Sequence, residues 1–204
     1  MKRKSFLLIV LVISLLQGCL IKSLHPFFKN KDIKYYPELI GEWIDQDSLV
    51  WTIQQTKYPK GFLKEDTLVN SYLITIDEES VFTGTLFKLN GIYYLDFFPE
   101  MGKLFDGEFY SWHLMPTHSL AKIEFLKGGK VQISWFNEEW LAKLFKQNKV
   151  KISHEKVEVS KDEEAYVLTA STEELQKFII KYGDNPEIYQ CDNEGVCSIL
   201  SKIK

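Results

Sequence analysis

Arginine is almost absent from this chain: Arg3 is the only one, and 28 acidic residues outnumber 25 basic ones, which gives a formal net charge of -3. Proteins that bind nucleic acids need basic patches to neutralise phosphates, so we exclude nucleic acid as a partner. Histidine and cysteine are also scarce, with four and three residues. The sequence contains no His-Glu-x-x-His motif, no Gly-x-Ser-x-Gly elbow and no cofactor motif. We therefore expect neither a resident metal, nor a cofactor, nor an enzyme.

The longest apolar run lies at the N-terminus. Three basic residues at positions 2–4 precede apolar residues 6–16, which only Ser14 interrupts. This is the layout of an export signal, and the run is shorter than the ~20 residues of a membrane-spanning helix. The next residues, Leu-Gln-Gly-Cys at 16–19, resemble the lipobox of bacterial lipoproteins. A secretory signal without lipid and a buried apolar helix remain the alternatives.

The lipobox resemblance implies a signal peptide at 1–18 and acyl chains, such as palmitate, on Cys19. These chains would anchor the mature protein, of net charge -6 after loss of the three basic residues, in a membrane of the cell envelope. Leu20 is not the aspartate that retains such proteins in an inner membrane. The resemblance therefore favours the periplasmic face of the outer membrane in a two-membrane cell, and the outer face of the cell membrane otherwise.

The other two cysteines, Cys191 and Cys197, flank the polar residues 193–195, which suit a turn. In an oxidising compartment such a pair more often forms a disulfide than stays reduced. The bridge would contribute on the order of 2 kcal/mol because the loop is short. Two reduced thiols are the alternative.

Period-two alternation dominates the middle of the chain and is typical of half-buried strands. We count a long bent strand at 41–57 and seven more, at about 71–77, 81–89, 92–98, 120–125, 130–136, 150–159 and 164–170. Two helical segments follow a 3.6-residue period, one at 138–147 capped by Asn137 and one opened by the capping box at 171–174.

These elements predict a mainly β fold, an eight-stranded antiparallel up-and-down barrel or strongly curved sheet, with one inserted and one C-terminal α-helix. The predicted organisation is a lipidated tether at 19–36, a β domain with helices at 37–187 and a C-terminal tail at 188–204. The disulfide between Cys191 and Cys197 would close that tail.

The start of the first strand, Gly41-Glu42-Trp43, resembles the Gly-x-Trp signature of the lipocalins. The resemblance implies a lipocalin-like barrel whose closed end packs around Gly41 and Trp43, beneath a late-strand arginine. This chain has no arginine there, and we expect a lysine such as Lys151 or Lys156 in its place. The segments at 39–43, 95–99 and 168–175 also resemble a group of bacterial envelope lipoproteins without an assigned activity.

A barrel of eight strands is either filled by side chains or holds one small ligand. We therefore expect non-catalytic binding of a small hydrophobic or amphipathic molecule, and the alternative is a protein-interaction or structural module with a solid core. A hydrolase is a third hypothesis, which no motif supports. The residues predicted to line a pocket are Trp51, Tyr72, Phe87, Tyr94, Asp96, Phe98 and Trp135.

Asp96 is the one carboxylate in an apolar strand. It could hold the head group of a ligand, but we favour a hydrogen bond to the backbone. For each of the histidines, including His118, a solvated or hydrogen-bonded role is favoured over a general base.

Overall fold

The computed structural model describes residues 20–56, 70–100, 113–160, 163–189 and 197–203. The predicted signal peptide and Cys19 lie outside these ranges. In chain order the strands are β1 (Lys22–Ser23), β2 (Gly41–Ile44), β3 (Val50–Gln55), β4 (Tyr72–Ile76), β5 (Ser80–Leu89), β6 (Ile92–Pro99), β7 (His118–Phe125), β8 (Val131–Trp135), β9 (His154–Ser160), β10 (Glu163–Leu168) and β11 (Cys197–Lys202). The α-helices of this part of the chain are α1 (Glu138–Lys146) and α2 (Thr172–Tyr182).

Eight strands close into an antiparallel barrel. The seven consecutive strands β2 to β8 each pair with the next, and β11 lies between β8 and β2. This confirms the predicted fold class, an eight-stranded antiparallel barrel with one inserted helix and one helix towards the C-terminus.

The strands that form the barrel differ from those expected. The predicted strand at 41–57 is divided, because the Asp45 carboxylate accepts hydrogen bonds from the backbone N–H groups of Asp47 and Leu49, each at 2.9 Å, and turns the chain. The predicted strands at 150–159 and 164–170 form the hairpin β9–β10 outside the barrel. Strand β11, in the segment predicted as a tail, supplies the eighth barrel strand instead.

The N-terminal segment, predicted as a tether, is packed into the fold over residues 20–36. Its short strand β1 pairs antiparallel with the start of β7 and parallel with β10, so it joins the outer hairpin to the barrel. Ile21 and Phe27 are buried, with 2% and 1% exposure. Within the described residues, this segment is therefore packed as part of the same fold as the barrel.

The two helices begin where their caps predict. The Asn137 side chain accepts a hydrogen bond from the Trp140 N–H at the start of α1, and Ser171 and Glu174 form the complete capping box of α2. Their apolar faces pack with the β9–β10 hairpin against the outside of the barrel. None of the helices in the described ranges is long and apolar enough to cross a membrane.

The domain has two hydrophobic cores separated by the barrel wall. One fills the barrel interior, with Trp43, Tyr72, Phe97 and Leu200 among its members. The other lies between the outer face of β5–β7 and the layer formed by the N-terminal segment, α1, α2 and the outer hairpin. One side of the barrel wall is therefore buried on both faces.

Candidate functional site

The residues predicted to line one pocket lie in different places. Trp51, Tyr72 and Trp135 point into the barrel and belong to the interior core. Phe87 and Tyr94 face outward, where they stack on each other at 5.5 Å between ring centroids beneath the outer layer. Asp96 and Phe98 share the outward face of β6 with Tyr94, since alternate residues of a strand face the same side. The residues predicted to line one pocket thus lie on opposite sides of the barrel wall.

Large side chains in mutual contact fill the interior near the middle of the barrel. The ring centroids of Phe97 and Trp135 lie 4.5 Å apart, and the indole N–H of Trp51 donates to the Asp45 carboxylate at 3.1 Å. A Cβ added to Gly84 would lie 2.4 Å from Cδ1 of Ile74. A methyl group at that position would require the end of the Ile74 side chain to shift.

One end of the barrel is closed around Trp43, as the lipocalin resemblance implies. Trp43 is 3% exposed, and its indole N–H donates at 2.9 Å to the carbonyl of Leu39, in a short 3-10 helix. Gly41 has a φ of 141°, a backbone conformation that residues with a side chain rarely adopt. The local backbone therefore favours glycine at this position of the Gly-x-Trp pattern. Gly41 and Trp43 therefore both lie at this end of the barrel, and their closed-end role stays a prediction.

The cation above Trp43 is neither Lys151 nor Lys156. Lys202, on β11, places its ammonium 5.2 Å from the centroid of the Trp43 ring and donates to the Glu38 carbonyl at 3.0 Å. Lys156 instead pairs with Glu164 on the outer hairpin. The expected residue was misplaced because β11 was not recognised as the last strand of the barrel.

The same end is sealed by two tyrosines of the N-terminal segment. The ring of Tyr35 stacks on Tyr72 at 5.4 Å, and the Tyr36 ring stacks on Phe125 at 5.3 Å. The Tyr72 hydroxyl accepts from the Tyr36 N–H at 2.7 Å. Burial raises the pKa of Tyr72 to about 12, so this phenol stays protonated and keeps the contact through the physiological pH range.

The most distinctive polar site lies on the outer wall, where Asp96 is 1% exposed. One carboxylate oxygen accepts the backbone N–H of Phe27 at 3.0 Å, and the other contacts Nδ1 of His118 at 2.7 Å. The favoured role of Asp96, a hydrogen bond to the backbone, is confirmed. His118 also packs on the ring of Phe98, at 4.6 Å between centroids.

The Asp96 pair joins the barrel to the outer layer. Gln176 of α2 donates to the Phe27 carbonyl at 3.3 Å and to the Asp32 carboxylate at 2.9 Å, so both backbone polar groups of Phe27 are bonded to side chains far along the chain. Sequence reasoning missed Phe27 and Gln176, because an irregular extended segment has no periodicity to detect. The arrangement fixes the N-terminal segment and can hold a proton between an acid and an imidazole.

Burial raises the pKa of Asp96 above its ordinary value of 3.8, and the contacts with His118 and the Phe27 N–H lower it by less. A raised pKa means that the fold favours the protonated acid, so its contribution to stability is present at low pH and is lost as the pH rises through the folded-state pKa. We expect the stability of the parent, relative to the non-titrating Asp96→Asn variant, to fall as the pH rises from below 3.8 through the raised folded-state pKa.

This pH dependence can be measured by urea unfolding of both proteins across that range. Because asparagine does not ionise, the difference between the two proteins isolates the contribution of the Asp96 carboxylate. A stability difference that grows with pH would show that the ionised carboxylate is the favoured form, contrary to the burial argument.

Of the two cysteines of the predicted disulfide, the structure describes only Cys197. Cys197 opens β11 and its sulfur lies 3.8 Å from the Tyr189 carbonyl, whereas Cys191 lies outside the described residues. The bridge therefore stays a prediction.

Comparisons of the chain with protein-family models, with curated proteins and with solved structures found no match.

Proposed function

We propose that this protein is an exported lipoprotein of the cell envelope, anchored through acyl chains on Cys19, whose barrel is a solid scaffold without catalytic activity. The export layout and the lipobox resemblance support the anchor. The packing around Gly84, Phe97 and Trp135 supports the solid scaffold, and it is the observation on which the functional part depends.

The fold begins directly after the proposed anchor. Leu20 forms a bridge with Asn137, and the N–H of Ile21 donates to the Phe136 carbonyl at 3.5 Å. One residue spans at most about 3.6 Å, so Cys19 would sit within that distance of a residue that is already held by the domain. An anchor on Cys19 would therefore hold the barrel and its outer layer against the bilayer without a free linker.

Replacing Cys19 with serine tests the anchor. We expect the parent to be labelled by palmitate and to sediment with membranes, and Cys19→Ser to be unlabelled and absent from the membrane fraction, because the acyl chains need the thiol. The matched control is Cys197→Ser, which should keep both label and membrane association. Membrane retention of Cys19→Ser, or an unlabelled parent, would rule out the anchor.

The filled interior makes a protein-interaction or structural role the better supported function. A barrel whose interior is filled would act through its surface, and β3 and β11 carry exposed side chains such as Val50 and Ile199 on their outer faces. In this proposal the partner is another protein of the envelope or a second copy of the chain.

Gly84→Ala tests how tightly the interior is packed. The new methyl group would overlap Cδ1 of Ile74, so we expect a loss of about 1–3 kcal/mol in the free energy of unfolding. Ile74→Val removes that carbon, so the double variant should recover much of the stability lost in Gly84→Ala. In a double-mutant cycle, the two substitutions together should therefore cost less than the sum of their separate effects. Additive effects would mean that the barrel has space to spare.

Binding of a small hydrophobic or amphipathic molecule is the second candidate. Half-buried apolar residues of the interior core at the end opposite Trp43, Ile76 and Phe82, favour it. Residues 101–112, between β6 and β7 in the chain, lie outside the described ranges. A guest that co-purifies with the protein would favour this candidate over the solid scaffold.

A further inference from the structure

The outer hairpin ends in a strand edge. In the sheet formed by β7, β1, β10 and β9, β9 is the last strand, and no described element pairs with its outer side. Backbone N–H and C=O groups along such an edge are a ready template for a further strand. The side chains of β9 decide which strand would fit.

The charges of β9 are unbalanced within one molecule. Glu158 lies directly opposite Glu164 in the β9–β10 register, and like charges in opposite positions are unfavourable. Glu164 is compensated by Lys156, at 2.5 Å, and by Lys146, at 3.9 Å. Glu158 is exposed and takes part in no ion pair with any described residue. Lys156 of the same strand attracts this carboxylate but makes its salt bridge with Glu164, so Glu158 has no ion-pair partner of its own among the described residues.

We propose that β9 pairs with β9 of a second copy of this chain, antiparallel and centred on Val157. A two-fold axis through Val157 places Lys156 of each copy opposite Glu158 of the other. Two complementary pairs then form on one face of the joined strands, where unlike charges stabilise cross-strand pairs. Val157, which is 45% exposed, meets its own copy on the other face.

The neighbouring two-fold registers do not fit. Centring the axis on Lys156 brings two ammonium groups together, and centring it on Glu158 brings two carboxylates together. Only the register centred on Val157 pairs every charge at positions 156 and 158 with its opposite. The strand therefore specifies both the partner and its alignment, whether or not the chain carries an acyl anchor.

A cysteine at the axis tests the pairing in intact cells treated with a membrane-permeable thiol oxidant, so that the result does not depend on export to an oxidising compartment. Opposed residues of antiparallel strands have Cα atoms about 4.5–5.5 Å apart, within the range of a disulfide. We expect Val157→Cys to give a covalent dimer on a non-reducing gel. The matched control is Ile199→Cys, which has a similar exposure of 41% and the same native cysteines but lies on the barrel. A yield no higher than that of the control, or a mixed disulfide with another protein, would overturn the proposal.

Charge variants separate pairing from folding. In the Val157→Cys background, Glu158→Lys sets two lysines against each other across the axis and should lower the dimer yield roughly tenfold. The same change replaces the Glu158–Glu164 repulsion by an attraction, so the thermal midpoint of the protein should not fall. Adding Lys156→Glu exchanges the two charges and should restore the dimer. An undiminished yield for Glu158→Lys, or no recovery in the double exchange, would contradict the register.

Discussion

Replacing Phe27 with alanine should lower the free energy of unfolding by about 3–5 kcal/mol, a large part of the stability of a domain of this size. The ring is 1% exposed and belongs to the core between the barrel wall and the outer layer. Its loss leaves a cavity at the point where the N-terminal segment, Asp96 and α2 meet. Urea unfolding followed by tryptophan fluorescence measures the change.

The control for this variant is Leu24→Ala, in the same segment. Leu24 is 39% exposed, so its truncation should change the stability by no more than about 0.5 kcal/mol. Equal, small effects of both variants would mean that residues 20–36 form the free tether that the sequence suggested, and the packing described for this segment would then be wrong.

Leu200→Ala is the second change with a large expected effect, about 2–5 kcal/mol. Leu200 is fully buried in the barrel interior, whereas its neighbour Ile199 is 41% exposed. The pair is a matched test of the same strand, because Ile199→Ala removes a side chain of similar size from the outer face. We expect the Ile199 variant to stay within about 0.5 kcal/mol of the parent.

The comparison of the two variants tests whether β11 closes the barrel. Similar, small losses in both would place residues 197–202 in a peripheral tail. A large loss at Leu200 alone would support the pairing of β11 with β2 and β8, on which closure depends.

The regular elements could be predicted because their patterns are long. Strands β4 to β8 are each five or more residues long, and both helices carry a cap and an apolar stripe. Strand β11 has only Ser198 and Leu200 buried within its six residues, too few for a period to be evident. The N-terminal segment contributes isolated residues, Ile21 and Phe27, which no pattern connects. The predicted number of strands equals the number in the barrel, but the strands are not the same ones. One predicted strand is divided into β2 and β3, two others form the β9–β10 hairpin outside the barrel, and β11 takes the remaining place.

The pocket could not be predicted for a different reason. Period-two alternation shows which residues share a face, but not which face is the interior when both are buried. On β6, Leu95 and Phe97 point into the barrel while Tyr94 and Asp96 are buried under the outer layer. Apolar residues on both faces are expected of any strand covered on both sides. The cover of the outer wall comes from residues distant in sequence, so the faces could be assigned only from the fold.

The most direct test of the account is the mass of the native protein, extracted in mild detergent and measured first intact and then after collisional release of bound molecules. We predict the mass of residues 19–204 plus the acyl groups of one lipid anchor, and no release of a non-covalent guest. A mass without acyl groups would contradict the anchor. Stoichiometric release of a small apolar molecule would contradict the solid barrel.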